Sequence, residues 1–425
     1  MFQKLLQIFK VKDLRNKIFY TFGLLVIFRL AAQIPIPSIN AEALKSVFEG
    51  NQFLGLLDIF SGGGLRNFSV VAMGVAPYIT ASIIMNLLGM IIPALERLQK
   101  EEGEDGRRKV NQYTRLLTVP LAALQGYAMI RLLTSKAAGI FGDLDVFAMV
   151  TTIVSLTAGT IFLMWIGELI TEKGIGNGIS LIIFAGIVSQ IPQTIQETVI
   201  NFDPSKMLNL VIFGLIAVLV IAGVVFITEG QRNIPVSYAR RIKGNKMYGG
   251  VASHLPLRVN QAGVIPIIFA ISVMLMPGMI ANFFVGSSVT WLADFSTKLA
   301  DIFNNQVFYS VVYFVLVILF TYFYTSVTFD PKSIAKNLQR QGGFIPGIRP
   351  GENTTEYLHK TMNRITLVGA IFLGLVAILP YLIQPITNNP SLVIGGTGIL
   401  IVVSVVLETV KKVESQMVIR DYEEF

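Results

Sequence analysis

The sequence predicts an all-α membrane protein with ten transmembrane helices, arranged as two inverted five-helix halves with a path at their interface. Composition is the first reason: 53% of the 425 residues are hydrophobic, the mean hydropathy is +0.64 and only 14% are charged, against roughly 25% in soluble domains. The second reason is that apolar runs of the roughly 20 residues needed to cross a bilayer recur along the whole chain. The third is that Lys and Arg are concentrated in alternate loops.

Ten apolar runs are interpreted as spans. They cover approximately residues 18–34, 70–94, 116–133, 146–167, 179–192, 208–227, 262–285, 307–329, 365–384 and 392–409. The first run keeps its flanking charges and no small-residue cleavage site follows it, so we interpret it as a retained span. The fifth run is short if it ends at Pro192, and the sequence leaves open whether that helix continues past the proline.

The basic residues assign a side of the membrane to each loop. Clusters of Lys and Arg precede span one and follow spans two, six, eight and ten, whereas the intervening loops carry few. The positive-inside rule therefore predicts that both termini are cytoplasmic. The chain divides at the outer loop near residue 201 into an N-terminal half, 1–200, and a C-terminal half, 201–425. Five spans per half make any repeat an inverted one, which places a path between the halves.

Two cytoplasmic loops, 228–261 and 330–364, are unusually long and basic. Their cytoplasmic position alone explains the sign of their charge. It does not explain their length, because helix connections usually run about 2–8 residues. We therefore expect a docking surface in these loops.

The segment before span two, residues 56–68, contains three consecutive glycines, Gly62, Gly63 and Gly64. It is too polar to span a membrane and too apolar for an ordinary exposed loop. A short re-entrant segment fits, because irregular backbone at membrane depth must be buried in protein or line a cavity. The alternative is an outer loop packed on the helix bundle.

The predicted spans carry few ionisable groups. Arg29 lies within span one and is expected to extend toward the outer interface, and Glu168 lies at the cytoplasmic edge of span four. Ion-coupled transporters usually place Asp, Glu or His at mid-membrane, so this pattern argues against that class. Isoleucines at helical spacing in spans two and five face either lipid or the protein core, or they form an apolar ring that closes a pore.

No motif predicts catalysis or cofactor binding. Cysteine is absent and the two histidines lie far apart in sequence, so no zinc site is expected. The run 174–178, GIGNG, has the wrong spacing for a dinucleotide fingerprint. We therefore expect no enzyme activity, no metal and no cofactor.

Several stretches resemble the SecY/Sec61-alpha family closely. They are 69–83 (SVVAMGVAPYITASI), 165–180 (WIGELITEKGIGNGIS), 260–266 (NQAGVIP), 342–351 (GGFIPGIRPG) and 395–397 (GGT). The motifs fall in both halves, and the resemblance covers essentially the whole chain. It implies a protein-conducting channel in the bacterial inner membrane that passes unfolded preproteins across and releases membrane segments sideways. The alternative is a secondary transporter with inverted repeats.

The resemblance also implies roles for particular residues. Six isoleucines would form the pore ring: Ile79, Ile83, Ile179, Ile183, Ile268 and Ile401. A plug at about 60–70 would close the outer side: Phe60, Ser61, Gly62, Gly63, Gly64, Leu65, Arg66, Asn67 and Phe68. A lateral gate would lie between spans two and three on one side and spans seven and eight on the other, with Asn86 and Gln125 as its polar positions.

The implied partners follow the same resemblance. The long loops would dock the SecA motor ATPase or the ribosome through Arg240, Arg241, Lys243, Arg340 and Arg349. SecE and SecG would be the membrane subunits, and signal peptides, unfolded preproteins and membrane lipid would be the other ligands. Specific DNA binding is not expected, and the channel itself would hydrolyse nothing.

Overall fold

A computed structural model of the chain is mostly helical. It describes residues 11–37, 39–40, 43–44, 58, 61–100, 102–136, 140, 145–200, 207–238, 241–243, 246–248, 253–284, 290–387 and 390–423. Phe60 and Arg240, which the sequence analysis assigns to the plug and to the docking loops, lie outside these ranges.

The described part of the first half consists mainly of helices. They are α1 (Lys12–Ala31), α2 (Ala76–Ile91), α3 (Pro93–Lys100), α4 (Gly103–Lys136), α5 (Val146–Lys173) and α6 (Gly178–Ile200). Helix α5 contacts α4 and α6, α2 lies against α4, and α1 packs on both α5 and α6. Asp145 begins α5 as an N-cap, because its Oδ1 accepts a hydrogen bond of 2.7 Å from the Val146 N–H.

The second predicted span is not one straight helix. Residues 62–75 form successive turns, so α2 begins at Ala76 and not at residue 70. After Ile92 the chain bends by 109° into α3. Pro93 explains the bend, because proline disfavours a helical conformation in the preceding residue, and Ile92 is extended with φ −98° and ψ 111°.

Other helices extend beyond the predicted spans. Helix α4 begins at Gly103 rather than at residue 116, so the basic stretch 107–115 is helical and not a loop. Helix α6 continues through Pro192 to Ile200, which answers the question that the sequence left open. Hydropathy underestimates such helices, because charged turns outside the apolar run add no hydrophobic signal.

The second half contains further helices and a small β unit. The helices are α7 (Met207–Glu229), α8 (Ile265–Phe284), α9 (Thr290–Asn304), α10 (Gln306–Thr328), α11 (Pro331–Arg340), α12 (Glu352–Thr387) and α13 (Pro390–Glu423). Helix α10 packs on α12, α12 packs on α13, and α13 packs on α7. The amphipathic helix α9 lies between predicted spans seven and eight and was not predicted.

The two long basic loops form one folded unit. Strand β1 (Gln231–Tyr238) pairs antiparallel with β4 (Ser253–Arg258) and with β5 (Gly343–Phe344), while β2 (Arg241–Lys243) and β3 (Lys246–Tyr248) make a separate hairpin. A small apolar core lies under the three-stranded sheet and includes Ile234, Leu257, Ile345, Leu358 and Met362. The sheet takes strands from both loops, and this shared sheet explains why both loops are long.

The two halves meet through a limited set of helices. Helix α8 contacts α2 and α4, and helix α13 contacts α6. One apolar cluster runs across this interface and contains residues of both halves. Any path between the halves must therefore open along these contacts.

Five helices of the described chain are long and apolar enough to cross a membrane: α4, α5, α7, α10 and α12. The bent pair α2 and α3 makes a sixth if it is counted as one broken span. Helices α6 and α8 carry shorter apolar stretches, 178–193 and 265–274. These helices establish a multi-pass membrane protein, and the count of ten stays a prediction.

We expect Gly159→Ala to destabilise the chain, because a Cβ at Gly159 in α5 would overlap the carbonyl oxygen of Val70. Overpacking of this kind costs about 1–3 kcal/mol, and the neighbouring atom is backbone rather than a flexible side chain. Gly214→Ala in α7 is the matched control, because nothing lies within 4 Å of the added Cβ. Thermal unfolding in detergent should give a lower Tm for the first variant and an unchanged Tm for the second. Equal Tm values would contradict the close helix–turn packing.

Candidate functional site

The six isoleucines singled out in the sequence belong to one apolar cluster. Ile79, Ile83, Ile183, Ile268 and Ile401 are each at most 5% exposed. Ile179 is half-buried and packs against the same cluster. Burial excludes the lipid-facing interpretation of these positions, and it brings together side chains from α2, α6, α8 and α13.

The glycine-rich segment 61–75 packs directly on this cluster. Leu65 and Phe68 are fully buried within it. Gly62, Gly63 and Phe68 have φ values of 68°, 81° and 39°, a left-handed conformation that glycine adopts far more readily than other residues. The end of the segment is tied to the chain after α1, where the N–H of Ile36 donates to the carbonyl of Phe68 at 3.0 Å. The segment is therefore a packed, hydrogen-bonded element.

A buried carboxylate organises this segment. Asp58 is 1% exposed, and its Oδ1 accepts hydrogen bonds from the N–H groups of Leu65 at 3.2 Å and Arg66 at 3.1 Å. The Arg66 guanidinium pairs with Asp58 Oδ2, with an Nε–Oδ2 distance of 3.2 Å. The Arg66 side chain is 37% exposed, so water screens this ion pair. The two backbone N–H groups bound by the buried carboxylate are the stronger contacts, since a hydrogen bond to a charged group contributes about 1.5–3 kcal/mol, and through them Asp58 holds the turns in one arrangement.

Asp58 also connects the segment to the helix bundle. Gln190 of α6 donates from Nε2 to Asp58 Oδ2 at 3.2 Å. Gly62 and Gly186 of α6 approach so closely that a Cβ on Gly186 would overlap the Cα of Gly62. A Cβ on Gly62 would lie 2.6 Å from Cζ of Phe28 in α1. Only glycine fits at both positions, and the segment consequently sits tightly against α1 and α6.

Arg29 lies in the last turn of α1. Its Nη1 donates a hydrogen bond of 2.5 Å to the carbonyl oxygen of Gly62. The side chain therefore has a protein partner that the sequence did not indicate, and its extension toward the outer interface stays a prediction. The glycine turn exposes a carbonyl that no helix satisfies, and a long cationic side chain on the adjacent helix reaches it.

The two predicted gate residues lie near the interface between the halves. Gln125 of α4 is buried and donates from Nε2 to the Thr80 hydroxyl of α2 at 3.3 Å. Asn86 of α2 is half-buried and lines a cavity of about 310 Å³. Both helices contact α8 of the other half.

The lining of the cavity includes both apolar and charged residues. Ile79, Ile179, Ile183 and Ile268 are among the apolar ones. The charged ones include an ion pair of 2.6 Å between Arg115 Nε of α4 and Glu168 Oε1 of α5. The cavity therefore reaches isoleucines of α2, α6 and α8.

The predicted docking residues lie on or beside the β unit. Arg340 at the end of α11 and Arg349 before α12 are exposed. Arg241 and Lys243 belong to strand β2. Gly347 and Gly351, which flank Arg349, have φ values of 82° and 105°, so the GIRPG motif forms a tight turn that presents Arg349 to solvent.

Sequence reasoning missed three residues of this site: Asp58, Gly186 and Gln190. Asp58 was part of the recognised segment, and an Asp ahead of a glycine run is typical of a turn whose backbone N–H groups bind the carboxylate. Gly186 and Gln190 are four residues apart in α6 and therefore share one face. Nothing in their spacing indicated that this face meets the glycine segment.

The membrane-length helices, the buried turn segment and the apolar contact between two halves define a multi-pass membrane protein with a closed central seam. A profile of the SecY family matches residues 69–410. The protein translocase subunit SecY of Streptomyces scabiei is 42% identical over 433 residues, covering 98% of each chain. The chain therefore belongs to the SecY family.

Solved channel structures share the fold. A structure reported for the plug domain of SecY, which stabilises the closed state of the translocation channel and maintains a membrane seal, aligns with a TM-score of 0.65 at 20% identity. Sec61 in the canine ribosome–channel complex from the endoplasmic reticulum aligns with a TM-score of 0.61 at 21% identity. Each alignment covers 95% of this chain and 92% of the other.

We predict that Asp58→Ala loosens the turn segment while the surrounding helices stay folded. The Leu65 and Arg66 amides would lose their acceptor, and a hydrogen bond to a charged group contributes about 1.5–3 kcal/mol. Hydrogen exchange of peptides covering 61–75 should therefore accelerate by on the order of 10–100-fold. Peptides from α10 and α12 should not change.

The matched control is Asp13→Ala, because Asp13 is an exposed acid that pairs with Lys17 four residues along α1 at 3.7 Å. This variant should leave exchange of 61–75 unchanged. Unaltered exchange in Asp58→Ala would show that apolar packing alone holds the segment.

Proposed function

We propose that this chain is the channel-forming subunit of a protein translocase, passing unfolded preproteins through the seam between its halves. The observation that carries the proposal is the single apolar cluster that contains five of the six isoleucines together with Leu65 and Phe68, with the sixth, Ile179, packed against it. Membership of the SecY family supports it, because relatives in that family are protein translocase subunits.

In the closed state the isoleucines form the pore ring, and the segment at about 60–70 is the plug. A ring of β-branched side chains is stiff and offers no polar atom to bind a passing peptide. Such a constriction blocks ions by excluding water. Once the plug is displaced, the ring of apolar side chains would surround the extended preprotein as it passes.

The lateral gate lies where α8 and α10 face α2 and α4. The contacts of α8 with α2 and α4 support this position. The hydrogen bond from Gln125 to Thr80 lies within one half, so it braces that side of the gate and does not lock the two sides together. Apolar signal sequences would leave for lipid by parting α8 from this braced pair.

The β unit is the docking surface for a cytoplasmic partner. Exposed basic residues on it include Arg232, Arg258, Lys332, Lys336, Arg340 and Arg349. Positive side chains of this kind suit ribosomal RNA phosphates and acidic patches of the SecA motor equally. The canine structure supports the ribosome as one partner class, since that channel is in a ribosome–channel complex.

The remaining assignments follow from the family. The chain would reside in the bacterial inner membrane with both termini cytoplasmic. Its ten spans would be divided between the halves 1–200 and 201–425. SecE and SecG would be its membrane partners. The side of the termini is supported by a contact cluster that joins Leu14, Ile175 and Met417 at one end of the bundle, and by the ion pair of 2.8 Å between Lys411 and Glu229. Energy would come from the motor, from translation or from the membrane potential, so the channel is not itself an enzyme.

The secondary-transporter alternative is not favoured. It calls for a carboxylate near mid-membrane that binds an ion or substrate. Asp58 is such a buried acid, but Arg66, Gln190 and two backbone N–H groups already occupy its oxygens.

Site-specific cross-linking tests the channel. The chain has no cysteine, so Ile83→Cys and Ile268→Cys each introduce a single thiol, one from each half. A stalled preprotein with its own single cysteine should form disulfides with both. Ile91→Cys is the matched control, because Ile91 lies on the same helix as Ile83 but is 74% exposed on the outer surface of the bundle.

The expected result is adducts at both buried positions and none at residue 91. Stalled intermediates that link to Ile91→Cys but to neither buried position would place the path outside the seam and contradict the proposal.

A further inference from the structure

Helix α9 has three distinct sides. At about 100° per residue, Trp291, Phe295 and Ile302 fall within one narrow arc of the helix. These three side chains are 68%, 61% and 46% exposed. Such a row of large apolar side chains on a helix surface would be costly to leave in water.

The neighbouring side of α9 packs on the protein. Ser296 is 2% exposed, and Phe303 packs against the central apolar cluster. The Phe303 ring meets the Phe308 ring of α10 edge-on, with centroids 5.5 Å apart. The helix is therefore held in place by protein contacts, and its exposed apolar row is a fixed surface.

The third side of α9 is polar. Asp294 and Thr297 are exposed there, and Asp301 falls in the same arc by its position. Lys298 is exposed at the boundary between the polar arc and the apolar row. A lysine at such a boundary can direct its amine toward water while its methylenes cover apolar surface.

The exposed row is continuous with the exposed apolar surface of a membrane-length helix. Helix α10 begins at Gln306, and its Val307 and Val311 are 73% and 58% exposed. Helix α10 is one of the helices long and apolar enough to cross a membrane. Helix α9 contacts both α8 and α10, at the end of the bundle away from the β unit.

We infer that α9 lies in the membrane interface, with Trp291, Phe295 and Ile302 inserted among the lipid acyl chains and Asp294 and Thr297 in water. The partner is the bilayer itself. Because α9 carries Asp294, Asp301 and Lys298, its net charge is not positive, and anionic headgroups are not needed. This inference rests on the membrane-spanning helices alone and does not depend on the channel function.

The chain contains two tryptophans, so each can be observed singly. Trp165→Phe leaves Trp291 in α9, and Trp291→Phe leaves Trp165, which is 55% exposed within α5. The full chain is placed in phosphatidylcholine vesicles brominated at acyl carbons 6 and 7 or at carbons 11 and 12. Iodide in the buffer provides the aqueous quencher.

We expect Trp291 to be quenched by the shallow bromines about twofold more strongly than by the deep ones, as an insertion of roughly 5–10 Å requires. Iodide should quench it weakly. Trp165 lies three residues before Glu168, at the cytoplasmic edge of predicted span four, so it is a reference at shallow depth and should also respond more to the shallow bromines. Strong iodide quenching without bromine quenching would place α9 in water, and quenching by neither would mean that another protein surface covers it. Both results would overturn the inference.

Two substitutions that each introduce a negative charge test the same surface without relying on one tryptophan position. In the Trp165→Phe background, Phe295→Asp should shift the Trp291 emission to longer wavelength and raise iodide quenching several-fold. Thr297→Asp introduces the same charge on the polar side and should change neither. Identical behaviour of the two variants would contradict the assignment of the lipid-facing side.

Discussion

Irregular backbone inside a helical membrane protein must find partners for its polar groups, and the turns at 61–75 meet this constraint through Asp58. The carboxylate accepts from two backbone N–H groups and pairs with Arg66, while Arg29 satisfies the Gly62 carbonyl. Because these turns are buried in protein, each polar group left without a partner would cost about 1–3 kcal/mol. Burial of Leu65 and Phe68 on the isoleucine cluster depends on these polar contacts being made.

The isoleucine cluster and the carboxylate of Asp58 do different things. Contacts between the isoleucines and the segment 61–75 are non-directional, so they fill the space between the halves without defining one geometry. The bonds of Asp58 are directional, and Gln190 ties them to α6. This division suits a channel that must stay closed and also open. The few polar contacts around Asp58 can be exchanged as a unit while the isoleucine cluster keeps its shape.

Much of this architecture follows from the sequence, for identifiable reasons. Hydropathy locates long helices such as α5 and α7. Five of the six isoleucines are buried in the apolar cluster between the halves, and the ring that the family resemblance implied stays a prediction. The bend at Pro93 was missed because the apolar run continues through the proline, although proline signals such a break locally. The late start of α2 and the helix α9 were missed because each depends on tertiary packing rather than on the length of an apolar run. The partner of Arg29 could not be predicted, because the sequence gives the position of this residue in its span but not its neighbour, which is the carbonyl of a glycine turn 33 residues further along the chain.

The most direct test of this account is single-channel conductance of the reconstituted complex. Three samples are compared: the intact chain, a chain lacking 60–70, and Asp58→Ala. The account predicts a closed intact channel, frequent openings after the deletion, and intermediate openings in Asp58→Ala, whose plug is present but not anchored. If neither the deletion nor Asp58→Ala produces channel openings, although insertion into the membrane is verified, that result would contradict the claim that this segment seals an aqueous path between the halves.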